Sequence, residues 1–237
     1  MKLQYLGDSK DAFKWDYLDF LAKQTGMSEL LIVPMLTPKG KSKKKENEGQ
    51  TDPRLFPSSP EVYEFCCCLR ENQQLDQLCK LHERTKSNYK VCLYERSNDF
   101  FIHATRKEYF SEVKLVKNRI LFLDPDIGFE PGTAKKEHVK YSDIECICNN
   151  NVDEESIIVI FQHARRMHFP FHEHYKEIVC KLKERNIQWD KTALFWCNQV
   201  MFVIMGKSGR LINQVRKINE GYQKLPRPVE VIRGDAG

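Results

Sequence analysis

A short apolar run near the middle of the chain ends abruptly in acidic and turn-forming residues. The run covers residues 120–123, directly after Arg119, and it is followed by Asp124, Pro125, Asp126, Gly128 and Glu130. An uninterrupted apolar run bounded by turn residues is typical of a strand covered on both faces, as in a parallel sheet. In open α/β sheets, ligands bind just beyond the carboxyl ends of such strands. We therefore expect any active site to lie here.

Strand-like and helix-like segments alternate along the rest of the chain. Helical periodicity is present at residues 11–21, 61–82, 105–113, 142–148, 175–185 and 210–223. Further strands are predicted at residues 30–36, 89–94 and 156–161, and residues 193–197 and 200–205 have the pattern of a hairpin. This order predicts an α/β fold, with a mostly parallel sheet, helices on both faces and a C-terminal antiparallel hairpin.

The length and composition favour one domain over residues 1–237. Hydrophobic residues make up 41% and charged residues 30% of the chain, which suits a single substantial core. A mobile basic loop is predicted at about residues 39–60, where turn-forming and charged residues dominate. The formal net charge of +5 permits contact with phosphates but is small for a protein that coats nucleic acid.

The sequence also indicates where the protein resides. No window approaches the roughly 18 to 20 apolar residues that span a bilayer, and the first residues lack the apolar segment of a signal peptide. The nine cysteines include no C-x-x-C pair, which favours free thiols in a reducing compartment. We therefore expect a cytoplasmic protein without a membrane partner, and the oligomeric state stays open.

Two short motifs carry a resemblance to a known family. Gly7, Asp11 and Lys14 stand at a fixed spacing around the start of the first predicted helix, and Asp124-Pro125 closes a central strand. On these residues the chain resembles ribosomal RNA adenine methyltransferases, which hold the target adenine with an Asp-Pro-Pro-aromatic motif. It is similar also to a group of uncharacterised bacterial proteins with Met-Leu-Thr-Pro, here residues 35–38, and Asp-Pro-Asp-x-Gly-hydrophobic-Glu, here residues 124–130.

The resemblance implies a Rossmann-like, methyltransferase-type fold, S-adenosylmethionine as the cofactor and a nucleic acid or nucleotide as the substrate. It assigns the Asp124 carboxylate and the Pro125 carbonyl to the acceptor amine, which they would orient toward the methyl group. It places cofactor contacts at Gly7, Asp11, Lys14, Leu36, Thr37, Gly40 and Glu95. Of these, Glu95 follows a predicted strand, where an acid commonly binds two ribose hydroxyls.

Asp126 leaves other chemistries open, because an aromatic residue would be needed near this position to stack on a base. Asp124 and Asp126 share one face of an extended backbone, and with Glu130 they could ligate Mg²⁺ or Mn²⁺ for phosphodiester hydrolysis. His163 follows the next strand and is the candidate general acid or base. A third alternative is a non-catalytic module of the same fold that binds nucleic acid or protein.

Overall fold

Strands and helices alternate along the chain in the order that the sequence predicts. A computed structural model describes residues 1–37, 50–97, 106–113, 117–132, 135–150, 153–163, 170–196 and 199–232. The strands are β1 (Glu29–Val33), β2 (Lys90–Leu93), β3 (Arg119–Leu123), β4 (Gly128–Phe129), β5 (His138–Val139), β6 (Ile157–His163), β7 (Asp190–Trp196), β8 (Val200–Gly206) and β9 (Val229–Ile232). The helices are α1 (Ser9–Thr25), α2 (Pro60–Asn72), α3 (Leu81–Arg84), α4 (Arg106–Ser111), α5 (Tyr141–Asn149), α6 (Phe171–Glu184) and α7 (Gly209–Gln223). Short 3₁₀ helices cover Leu3–Tyr5, Pro53–Leu55 and Leu75–Lys80.

Seven strands form the central sheet in the order β2-β1-β3-β6-β8-β7-β9. The first four are parallel to one another, and β8, β7 and β9 join by antiparallel pairing. Because β7 is antiparallel to β8, which is antiparallel to β6, β7 runs in the same direction as the parallel strands. The predicted Rossmann-like α/β fold with its C-terminal hairpin is confirmed. β9 is an additional strand that was not predicted, since its four residues, Val229–Ile232, are interrupted by a glutamate and form no long apolar run.

The helices cover both faces of the sheet, as predicted. Alternate residues of a strand point to opposite faces, and in β3 Ile120 and Phe122 join the core beneath α1, α2 and α7. Leu121 and Leu123 join a second core beneath α5 and α6. Residues 120–123 are fully buried on both faces of the sheet, which explains their continuous apolar sequence. Within the described ranges, none of the helices combines the length and apolar character that crossing a bilayer requires.

The strand order reverses at β1, and this reversal places the site. From β1 the chain goes first to β2 on one side and then to β3 on the other. The last residues of β1 and β3, Val33 and Leu123, are partners in register, and the Asp124 N–H donates to the Val33 carbonyl at 3.0 Å. Asp124 therefore lies at the point between two diverging connections where open α/β sheets bind ligands.

Two predicted segments differ in the structure. The long helix predicted at residues 61–82 ends at Asn72, because Gln73 has a φ of 47° and the chain continues as a 3₁₀ helix. Of the predicted mobile loop, residues 39–49 lie outside the described residues. Within residues 50–60, Phe56 anchors the chain to the core: it is 1% exposed, and its ring centroid lies 5.1 Å from that of Phe13 in α1.

Candidate functional site

A cavity of about 280 Å³ lies at the carboxyl edge of the parallel strands, between the start of α1 and the ends of β3 and β6. Its walls are formed by Met1, Lys2, Tyr5, Leu6, Asp8, Lys10, Asp11, Lys14, Asp124, Pro125, Asp126, Phe161 and His163. The structure thus brings together six residues that the sequence singled out: Asp11, Lys14, Asp124, Pro125, Asp126 and His163. Both predicted motifs contribute to one cavity.

Asp8 fixes the start of α1 beside this cavity. Its Oδ1 accepts hydrogen bonds from the backbone N–H groups of Lys10 and Asp11, at 2.9 and 3.1 Å. Such an N-cap satisfies donors that have no partner within the helix, and a carboxylate also suits the positive end of the helix dipole. Burial, followed by the nearby Asp11 carboxylate, raises the pKa of Asp8 to about 6.

Gly7 has a structural role next to the cavity and does not line it. Its φ is +77°, and a Cβ there would lie 2.1 Å from the Cys66 carbonyl oxygen in α2. Only glycine permits this close approach of two backbones. The Gly7 N–H donates to Asp11 Oδ2 at 2.8 Å. Gly7, which was predicted to contact a cofactor, therefore orients the Asp11 carboxylate.

Lys14 joins the two motifs through buried ion pairs. Its Nζ lies 2.6 Å from Asp11 Oδ1 and 3.0 Å from Asp124 Oδ2, and its side chain is 7% exposed. The same ammonium lies 4.8 Å from the centre of the Phe161 ring, within range of a cation–π contact. Burial alone would lower the pKa of Lys14, but the two carboxylates reverse this effect and raise it.

Asp124 is a weaker acid than an ordinary aspartate despite this ion pair. It is 1% exposed, and burial raises its pKa above the ordinary value, although the Lys14 ammonium opposes the shift. Two carboxylates share the single Lys14 ammonium, so the pair does not fully compensate the cost of burying both charges. Asp124 is therefore a stronger proton acceptor than an exposed aspartate.

Asp126 faces the other side of the cavity and holds the first residues of the chain. Its Oδ2 lies 2.8 Å from Lys2 Nζ and accepts a hydrogen bond from Thr37 Oγ1 at 3.3 Å. The Met1 amino group donates to the Met35 carbonyl at 3.0 Å, and burial lowers the pKa of that amino group to about 6. Burial would raise the pKa of Asp126, but the Met1 amino group and Lys2 more than offset it and hold the pKa below its usual value.

His163 occupies the end of β6 and lines the cavity, as predicted. Burial, together with the nearby Lys10 and Lys14 ammonium groups, lowers the pKa of His163 to about 3. The imidazole is therefore neutral at physiological pH, and it offers a hydrogen-bond donor and an acceptor. This protonation state does not favour the general-acid role considered from the sequence.

The loop after Asp126 is shaped by the Gln162 side chain. Gln162 Oε1 accepts from the Phe129 N–H at 2.6 Å, and Gln162 Nε2 donates to the Ile127 carbonyl at 3.3 Å. Gly128 has a φ of +122°, and a Cβ there would lie 2.3 Å from Gln162 Oε1. The absence of a side chain at Gly128 therefore makes room for the Gln162 amide, which forms hydrogen bonds with backbone groups of the turn.

This turn carries Glu130 away from the two aspartates. Glu130 Oε1 accepts from the Tyr141 N–H at 2.9 Å, at the start of α5. Among the residues that the structure describes, no group of three or more His, Cys, Asp or Glu side chains is placed to hold a metal ion. Glu130 does not line the cavity that Asp124 and Asp126 share, so the structure does not bring together the three carboxylates predicted as a Mg²⁺ or Mn²⁺ site.

Of the other predicted cofactor residues, Leu36, Thr37 and Glu95 do not line the cavity. Leu36 is buried in the core, and Thr37 donates a hydrogen bond to Asp126. Gly40 lies outside the described residues. Glu95 is exposed in the turn after β2, and because β2 pairs in parallel with β1 it lies at the same edge of the sheet.

Seven lining residues were not predicted from the sequence: Met1, Lys2, Tyr5, Leu6, Asp8, Lys10 and Phe161. Asp8 carried a usable signal, since an aspartate directly before a helical pattern is a common N-cap. Residues 1–6 show no periodicity that would direct them to the end of β3. Their position depends on contacts with residues distant in sequence, such as the Lys2 to Asp126 ion pair.

Comparisons with known proteins give distant structural likeness alone. No family model matches the chain, and no curated protein matches it. Among solved structures, it is similar to one described as a "putative methyltransferase" from Thermobifida fusca YX, with 10% sequence identity and a TM-score of 0.37. The match covers 84% of this chain and 81% of that one. At this distance the likeness assigns no activity, and the fold stands on the topology described above.

Proposed function

We propose that this protein is an S-adenosylmethionine-dependent methyltransferase that acts on an amino group of a nucleic acid or nucleotide. The observation that carries the proposal is the position of Asp124 and Pro125. They line the cavity where the strand order of the sheet reverses, next to Asp11 and Lys14 of the amino-terminal motif. Function in such folds depends on the site rather than the fold, so the proposal depends on the chemistry of these walls.

The charges of the cavity walls fit a ligand that carries both signs. Three lysines (Lys2, Lys10 and Lys14) and four aspartates (Asp8, Asp11, Asp124 and Asp126) line it. S-adenosylmethionine combines an ammonium, a carboxylate and a sulfonium, and it supplies an electrophilic methyl group when bound. Lys2 or Lys10 would hold its carboxylate, and Glu95 at the end of β2 would reach its ribose hydroxyls.

The acceptor end of the site would be formed by Asp124 and Pro125. An amino group that donates hydrogen bonds to the Asp124 carboxylate and the Pro125 carbonyl is held in one orientation, with its lone pair directed away from both oxygens. After nitrogen gains a methyl group it must lose a proton. Because burial raises the pKa of Asp124, its carboxylate is suited to accept that proton.

Calorimetry with S-adenosylmethionine and transfer of labelled methyl groups to RNA, DNA and free nucleotides test the proposal. We expect binding of the cofactor and labelling of at least one of these substrates. Asp124→Asn should lower the rate of transfer about 100-fold or more while retaining cofactor binding. The matched control is Asp76→Asn, which changes an exposed aspartate and should leave the rate unchanged. Absence of binding at millimolar cofactor would refute the proposal.

A further inference from the structure

We infer that the ion pair between Lys2 and Asp126 controls access to the cavity, with residues 1–5 acting as a cover that opens when this pair separates. The inference rests on the proposed function only for the identity of the ligand. It assigns a role to Asp126, which the acceptor chemistry does not use.

The first residues form one wall of the cavity and are held from two sides. Lys2 Nζ contacts Asp126 Oδ2 at 2.8 Å, and the side chains are 31% and 13% exposed. The Thr37 N–H donates to the Met1 carbonyl at 3.0 Å. Thr37 Oγ1 also donates to Asp126 at 3.3 Å. Asp126 thus fastens the wall directly through Lys2 and indirectly through Thr37.

The contacts that hold residues 1–5 end at Leu6, so these residues can move together. Leu6 is fully buried, and its carbonyl accepts from Gln50 Nε2 at 2.8 Å, so the chain is anchored at this residue. Gly7 follows with a φ of +77°. Residues 2–5, by contrast, are partly exposed, and Met1 is buried with its amino group on the Met35 carbonyl, so opening of the cover also releases Met1. An anchor and a glycine at the end of a partly exposed segment define where it would bend.

The ion pair between Lys2 and Asp126 can be removed by substituting a side chain, whereas the bond from the Thr37 N–H to the Met1 carbonyl joins backbone groups. A partly exposed ion pair contributes about 1 kcal/mol or less, a factor of about fivefold in an equilibrium. Its loss would increase the open population without unfolding the domain. Lys2→Arg retains the cation, whereas Lys2→Gln and Asp126→Asn remove the ion pair.

The accessibility of His163 measures the opening without any cofactor. Diethylpyrocarbonate modifies neutral imidazoles, and the lowered pKa of His163 keeps it neutral at pH 7. His163 lines the cavity and is half-buried there, so an increase of its modification rate over that of the wild type, followed by mass spectrometry, reports a larger open population. Exposed His172 serves as the reference for reagent activity, and His174, which is 1% exposed, reports loosening of the whole domain.

We expect His163 to react about threefold to fivefold faster in Lys2→Gln and Asp126→Asn than in the wild type. Lys2→Arg and the control Lys107→Gln, which changes an exposed lysine of α4, should react at the wild-type rate. Equal His163 rates in all variants would overturn the inference. A parallel rise at His174 would overturn it as well, because the change would then be global.

A second measurement separates this inference from the proposed function. The association rate of S-adenosylmethionine should rise in Asp126→Asn together with the His163 rate, because this change opens the ion pair and retains Lys2, a proposed contact of the cofactor carboxylate. An unchanged association rate, with faster His163 modification, would show that the cover does not limit access and would overturn the inference. If the cofactor does not bind at all, the proposed function fails, while the His163 rates still decide whether the ion pair closes the cavity.

Discussion

Lys14 and Asp124, which are 110 residues apart in the sequence, form a buried ion pair with 3.0 Å between Nζ and Oδ2. This contact fastens the first helix to the end of a central strand. Because Lys14 also lies 2.6 Å from Asp11, one cation separates two carboxylates. The geometry of the cavity therefore depends on the charge of a single side chain.

Replacing Lys14 with methionine should destabilise the protein strongly. The change leaves Asp11 and Asp124 buried without their shared cation, and such a loss costs about 3 to 5 kcal/mol. Urea denaturation at pH 7 measures it, with Lys107→Met as the exposed control. The deficit should shrink when Asp124→Asn is added to the Lys14 variant, because one uncompensated charge disappears. Additive effects of the two changes would contradict this explanation.

Two glycines with nearly the same backbone conformation distinguish two reasons why a glycine-to-alanine substitution lowers stability: a steric clash of the new Cβ and an unfavourable backbone conformation. Gly7 and Gly26 have φ values of +77° and +70°, but only at Gly7 would a Cβ meet other atoms within 4 Å. Gly26→Ala should therefore cost about 1 to 2 kcal/mol, the penalty of a left-handed residue. Gly7→Ala should cost clearly more, since the Cys66 carbonyl lies 2.1 Å from the new atom. Equal losses in thermal unfolding would show that α2 moves aside at little cost.

The neutral His163 predicts a loss of stability in acid. Its pKa in the folded protein, about 3, lies below the ordinary 6.5, so between these values the unfolded chain binds more protons. Stability therefore falls as the pH drops below about 6.5, by at most ~1.4 kcal/mol per pH unit and by less for a partly exposed ring. His163→Gln removes this contribution. From pH 7 to pH 5, the wild type should lose about 1 to 2 kcal/mol more than the variant.

The matched control for this prediction is His172→Gln, which changes an exposed histidine. Its unfolding free energy should follow that of the wild type across the same pH range. Parallel curves for the wild type and His163→Gln would mean that His163 does not carry the pH dependence.

The sheet and the centre of the site were predictable because they follow from local pattern and topology. The apolar runs of β1 and β3 identify buried strands, and the parallel arrangement then places Asp124 and His163 at one edge. Placing these two residues at the same edge of the sheet required no knowledge of the side-chain contacts in the cavity. Strand pattern and topology do not identify Asp11 and Lys14, since a lysine and an aspartate on a helix are ordinarily solvated. These two residues were found only through the family resemblance.

The sequence failed where the chain leaves regular structure. Glu130 was grouped with Asp124 and Asp126 on the assumption that the backbone stays extended. The positive φ of Gly128 and the Gln162 side chain turn it instead. The first six residues were missed for a similar reason, because their place depends on single contacts such as Lys2 with Asp126. Neither kind of contact leaves a periodic pattern in the sequence.

Gly128 and Gln162 share one small volume, since a side chain at residue 128 would fill the space of the Gln162 amide. Neither residue can therefore change freely while the other stays. A search for distant relatives should accordingly look for the paired glycine and glutamine at these two positions, together with the buried lysine and aspartate that join the first helix to the end of β3.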